Sequence, residues 1–131
     1  MVPKGWKSQF PVELVTFFSG FAFKSEDATS EGARWLKIAN VGVGEIKWDS
    51  ESYLPKNYLT EYKKFLLEVG DIVVAMTRPT LGKYLKIAKL NKCEDKSLLN
   101  QRVAKLVVAD SVDSNFIYHL FRTEKIAYLI N

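Results

Sequence analysis

The pattern of apolar and polar positions predicts more strand than helix. Ile72-Val73-Val74-Ala75-Met76 is a solid apolar run, about one strand long and rich in β-branched residues. Gly70-Asp71 opens it. The run breaks at Thr77-Arg78-Pro79-Thr80, turns through Leu81-Gly82-Lys83, and becomes apolar again at Tyr84-Leu85-Lys86-Ile87-Ala88. Strand, polar loop, strand is the expected order, with Gly70 and Gly82 able to take positive φ at the turns. Arg34–Ala39 alternates as a strand, with Trp35 and Lys37 on one face and Leu36 and Ile38 on the other. Asn40–Gly44 is turn-rich. Glu45–Asp49 then predicts a second short strand, paired with the first as a hairpin. Asn100–Val108 predicts a further strand with polar residues at its entry.

Helical spacing is rarer. Pro11 suits a first helical turn, Glu13–Phe18 reads as a short helix, and Gly20 can end it. Thr60 is a candidate N-cap with Glu61 in the first turn. Asp113 or Ser114 caps a predicted helix over Asn115–Ile130, whose apolar face is Phe116, Ile117, Leu120, Phe121, Ala127 and Tyr128. Met1–Phe10 reads as an extended lead-in, Phe21–Glu31 as a loop and Leu90–Lys96 as a charged turn. These elements add up to an α+β fold: one domain over residues 1–131, with a mixed, curved sheet and short flanking helices. The last helix stops with no C-cap, so the pattern reads as cut at Asn131.

Composition narrows the class. At 131 residues, 47% hydrophobic and 26% charged, the chain is sized for one domain with a real core. Its longest apolar runs are too short to span a membrane, and no basic segment followed by an apolar core opens it as a signal peptide would. Cys93 is the only cysteine, which excludes an intramolecular disulfide framework and a cysteine zinc cluster. The expectation is a cytoplasmic protein.

Net charge is +4, but it is unevenly placed. Arg78, Lys83, Lys86, Lys89, Lys92, Lys96, Arg102 and Lys105 face only Glu94 and Asp95 within their stretch, which therefore carries +6. The rest of the chain carries −2. One basic segment on a near-neutral body suits a polyanion partner, although lysines also simply solvate the outer face of strands.

Catalytic chemistry finds little support. His119, the only histidine, lies inside the last predicted helix, and any Ser–His or Cys–His pair would have to use it, where an ordinary helical histidine is the simpler reading. Gly42-Val43-Gly44 is too short for a phosphate-cradling loop, so no cofactor is expected. Glu45-Ile46-Lys47 has the acid-x-lysine spacing of metal-dependent nucleases, with Asp27, Asp49 or Asp71 as the second acid. That three-residue pattern is common by chance, and a small metal-dependent nuclease stands as an alternative. Nucleic-acid binding is better supported. Thr77, Arg78, Thr80, Lys83 and Lys86 offer donors to phosphates or to a guanine edge, and Gln101-Arg102 forms a second cluster.

Several segments, in order, resemble the target-recognition domain of the specificity subunit of type I restriction–modification enzymes. The first is Pro3-x-Gly5-Trp6 with Leu14 and Gly20. The second is Trp35-Leu36-Lys37-Ile38-Ala39-Asn40-Val41 followed by Gly44-x-Ile46. The third is Gly70–Arg78 followed by Gly82-Lys83. Leu99–Ala104 and Asn115–Phe121 extend the likeness over nearly the whole chain.

The resemblance implies a module that reads double-stranded DNA and is not itself an enzyme. In that family a specificity subunit carries two such domains, each reading half of a split site. Long helices between and after the domains dock methyltransferase subunits, which bind S-adenosylmethionine, and a restriction subunit completes the enzyme. Here one domain is present without spacer helices, and the family's closing segment is expected to be missing. Lys37 and Asn40 join Thr77, Arg78, Thr80, Lys83, Lys86, Gln101 and Arg102 as expected DNA contacts. Gly70, Asp71 and Gly82 are expected to set turns. A protein-interaction or anti-restriction module that docks a methyltransferase subunit is a further alternative, and an exposed apolar surface would favour self-association.

Overall fold

The computed structural model describes residues 15–48, 52–91 and 96–130. Among the described residues, nine short strands and three α-helices make an α+β architecture, as the pattern predicts. The strands divide between two main sheets. β1 (Val15–Ser19), β9 (Val103–Val108), β4 (Ile72–Ala75) and β7 (Ile87–Lys89) lie side by side in that order, each pair antiparallel. β3 (Tyr53–Leu54), β2 (Ala33–Leu36) and β8 (Leu98–Leu99) form a second, mixed sheet, with β2–β3 antiparallel and β2–β8 parallel. β5 (Thr80–Leu81) and β6 (Tyr84–Leu85) make a separate two-stranded ribbon.

The continuous apolar run of β4 has a direct cause. Ile72 and Val74 point into a core between the four-stranded sheet and the C-terminal helices, where Phe17, Leu106, Ile117 and Phe121 also pack. Val73 points the other way, into a second core with Leu36, Leu67, Leu90, Leu99 and Val103. Both faces of β4 are buried, so no polar alternation is needed. β2 does the same. Leu36 enters the second core, while Trp35 enters a third with Phe23, Ala33, Leu54 and Leu98.

Five expectations are corrected. Val15–Ser19 is a strand and not the end of a helix: it pairs with β9 along its whole length, from Val15 opposite Val108 to Ser19 opposite Ala104. Its β-branched and aromatic residues fit that pleated surface. Gly20 is then not a helix stop. A Cβ there would sit 2.1 Å from the Asn100 carbonyl oxygen, so glycine permits the close backbone approach. Glu45–Lys47 makes no strand; only a bridge of Val41 to Ile46 closes that loop, and β2 takes β3 as its antiparallel neighbour. Thr60 lies inside α1 (Tyr58–Glu61), whose N-cap position is Asn57, three residues earlier than predicted. The long C-terminal helix is two helices, α2 (Ser114–Phe121) and α3 (Glu124–Ile130). Asp113 caps α2 as expected, accepting from the Asn115 N–H at 2.9 Å. The readings of Met1–Phe10, Pro11 and Asp49, and most of the charged turn at Leu90–Lys96, lie outside the described residues.

Among the described residues, no helix is long and apolar enough to cross a membrane.

Candidate nucleic-acid interface

The polar loop after β4 is held by main-chain bonds from two other segments. The Met76 N–H donates to the Arg102 carbonyl at 2.7 Å. The Lys86 N–H donates to the Pro79 carbonyl at 2.6 Å, and the Ala75 N–H donates to the Lys86 carbonyl at 3.0 Å. These bonds draw together the β4–β5 loop, the β6–β7 junction and the β8–β9 turn.

Between them is a cleft of ≈ 330 Å³, lined by Ile38, Ala39, Thr77, Arg78, Lys86 and Arg102. Four of the sequence-predicted contact residues therefore meet in one place. Three are cations from three separate segments, and among the described residues no acid is in the cleft lining. Such a cluster of like charges attracts anions, because the positive potentials add.

Two of those cations sit on unusual backbone. Arg78 has φ +48° and Arg102 has φ +70°. Left-handed backbone is uncommon for a side chain without local hydrogen-bonding ability. Arg78 also precedes Pro79, which ordinarily favours extended backbone at that position. Each such residue costs on the order of 1–3 kcal/mol and persists where its surroundings over-determine it. The main-chain bonds of Arg102 and Pro79 supply that constraint. Lys96, at φ +64°, shares the feature but is not in the cleft lining.

Ile38 and Ala39 form the opposite wall, on a 3₁₀ turn that follows β2. Asn40 holds that turn from inside. Its Oδ1 accepts from the Lys37 N–H at 2.9 Å, and its Nδ2 donates to the Lys47 carbonyl at 2.8 Å. Its own N–H and carbonyl bond Lys37 and Lys47 as well. With 1% of its surface exposed, Asn40 is a structural hub, a correction to its expected place among surface donors. Further along the same loop, the Gly44 N–H donates to the Ile87 carbonyl at 2.7 Å. Gly44 lies against the Arg122 guanidinium, which would be 2.6 Å from a Cβ there. Arg122 thus braces this wall from the end of α2.

The other expected contacts are not in the cleft lining. Thr80 is in β5 and Lys83 is exposed at the tip of the ribbon. Gln101 is exposed beside Arg102, with its N–H donating to the Phe21 carbonyl. Lys37 turns away: its Nζ donates to Ser52 Oγ at 2.8 Å and lies 5.0 Å from the centre of the Trp35 ring.

Sequence reasoning missed Ile38 and Ala39, which it took as strand residues, and no local signal marks them as a cleft wall. For the nuclease alternative, Asp27 accepts from the Tyr58 hydroxyl and Asp71 from the Glu68 N–H. Among the described residues, no three His, Cys, Asp or Glu side chains converge as a metal site.

No family model matches the chain. It is 36% identical over 124 residues to the type I restriction enzyme MjaVIII specificity subunit of Methanocaldococcus jannaschii, covering 94% of this chain and 29% of that protein. It is 34% identical over 117 residues to the EcoAI specificity subunit of Escherichia coli, covering 88% of this chain and 20% of that one. The chain thus spans less than a third of the length of these curated relatives. The crystal structure of the HsdS subunit from Thermoanaerobacter tengcongensis shares the fold, with a TM-score of 0.54 at 16% identity, over 88% of this chain and 27% of that one. By sequence, this chain is related to one segment of type I restriction enzyme specificity subunits.

Proposed function

We propose that this chain is a double-stranded DNA target-recognition module of a type I restriction–modification system, non-catalytic itself and working with methyltransferase and restriction subunits. The observation that carries this reading is the cleft. Arg78, Lys86 and Arg102 reach it from three segments of the chain, and two of them hold left-handed backbone to do so. The relatedness to specificity subunits supplies the biological setting. In this reading the three cations take backbone phosphates. Thr77 adds a hydroxyl donor, and Gln101 lies next to the cleft where a base edge would pass.

The test is a fluorescence-anisotropy titration with a short duplex of random sequence over a range of salt concentrations. Phosphate contacts release counterions, so affinity should fall steeply as salt rises. Arg78→Ala, Lys86→Ala and Arg102→Ala should each weaken binding and flatten the salt slope by about one unit. Lys37→Ala should change neither. Unchanged affinity and slope in all three cleft variants would remove the cleft from the interface.

A further inference from the structure

The β5–β6 ribbon leaves and re-enters the body at the cleft. Arg78 lies just before its first strand and Lys86 just after its second, and both line the cleft. The Lys86 N–H to Pro79 carbonyl bond closes the ribbon's base. At its far end Gly82, at φ +65°, occupies the first position of a two-residue loop, where a II′ hairpin turn calls for glycine. Lys83 completes that tip.

The ribbon has two unlike sides. Opposite Thr80, Leu85 is buried in the main core. The next pair outward, Leu81 and Tyr84, is turned to the exterior, with Leu81 58% exposed. Tyr84 serves the fold locally, because its hydroxyl donates to Glu124 Oε1 at 3.4 Å and leans the ribbon on α3. Leu81 has no such role. It is an apolar side chain held in water beside a lysine, at the end of a ribbon rooted in a cationic cleft.

We propose that this ribbon is the base-reading element of the module, with Leu81 meeting a thymine methyl group in the major groove and Lys83 reaching a neighbouring base edge. The inference rests on the DNA-binding reading above. The major groove admits a two-stranded ribbon, and apolar side chains recognise thymine there by its methyl group. The cleft cations anchor phosphates at the ribbon's base, so its tip is set at a fixed distance into the groove. Charge complementarity from Arg78, Lys86 and Lys83 selects DNA as the occupant of this surface over a protein partner.

The experiment starts with selection of duplexes from a random pool by the intact chain, followed by sequencing of the bound fraction. The recovered motif is then made with deoxyuridine in place of thymidine, which removes only the methyl groups. The intact chain should lose about fourfold in affinity for the methyl met by Leu81, the equivalent of one buried methylene-sized group. Leu81→Ala should bind the two duplexes equally, and Lys83→Ala should recover a motif relaxed at one position. Arg102→Ala should recover the original motif at lower affinity. Leu81 is exposed, so its truncation leaves the fold intact. If Leu81→Ala and Lys83→Ala recover the wild-type motif, or deoxyuridine costs the intact chain nothing, the ribbon is not the reader while the DNA-binding reading stands. If the intact chain binds no duplex at low salt, the underlying reading fails.

Discussion

Asn40 shows how a single residue can look functional in sequence and be structural in the fold. An asparagine between two strand-like segments, close to a lysine, reads equally as a base donor or a turn former. What separates the two is burial, which the local pattern does not encode. In the structure its amide links the Lys37 N–H to the Lys47 carbonyl from a position that is 1% exposed. Asn40→Ala should therefore destabilise the chain by about 1–3 kcal/mol, the cost of leaving such groups without partners. Urea unfolding would measure it. The loss should appear in stability and leave the salt slope of DNA binding unchanged; a stable variant with a flattened slope would return Asn40 to the interface. Arg78 and Arg102 are the opposite case. Their charge and loop setting are plain in the sequence, but their left-handed backbone is not, since nothing about an arginine signals φ +48° or +70°.

At the scale of elements, the sequence was most legible where burial is two-sided or a cap is local. The β4 run was plain because both of its faces are covered. The Asp113 cap was plain because it acts within its own turn. β1 was misread because its partner, β9, is far downstream, and an apolar five-residue stretch does not reveal its pairing. The break between α2 and α3 was missed because Thr123 works against helix continuity. Its hydroxyl donates to the Leu120 carbonyl at 2.8 Å, and its Oγ1 accepts from the Ile126 N–H at 3.4 Å. The same hydroxyl that ends one helix starts the next. A second element-level link joins the 3₁₀ turn Ser25–Asp27 to α1, where the Tyr58 hydroxyl donates to Asp27 Oδ2 at 3.0 Å. That bond, then desolvation and the charge of Asp27, raise the Tyr58 pKa above its ordinary 10.0. The folded chain holds this proton more tightly than the unfolded one. The link therefore stabilises the fold below the ordinary tyrosine value and is lost as pH rises through the raised one. In an ultraviolet titration, Asp27→Asn should lower the ionisation of one tyrosine toward the ordinary range. A titration identical to wild type would show that the bond does not hold the phenol's proton.

The described part of the molecule should unfold as one unit, because its three cores share strands. β4 gives Ile72 and Val74 to the first core and Val73 to the second. β2 gives Leu36 to the second and Trp35 to the third. β8 leads directly into β9 through Asn100, whose N–H donates to the Leu36 carbonyl. No core can lose its packing without exposing residues of the next. The cleft depends on this continuity, since its walls come from the turn after β2, the loop after β4, the β6–β7 junction and the β8–β9 turn. Unfolding of the four-stranded sheet should then be felt at Trp35, on the far side of the second core. Far-ultraviolet circular dichroism and indole fluorescence, to which Trp6, Trp35 and Trp48 contribute, should report coincident transitions in denaturant. Phe121 is fully buried in the first core, whereas Trp35 belongs to the third and Trp48 packs against the second. Phe121→Ala should cost about 3–5 kcal/mol and move both transitions together to lower denaturant. A fluorescence transition that stayed in place while the dichroism moved would show that the three-stranded sheet folds on its own. The cleft would then be a seam between two independently stable parts, and cleft and core variants would no longer be read against one common stability.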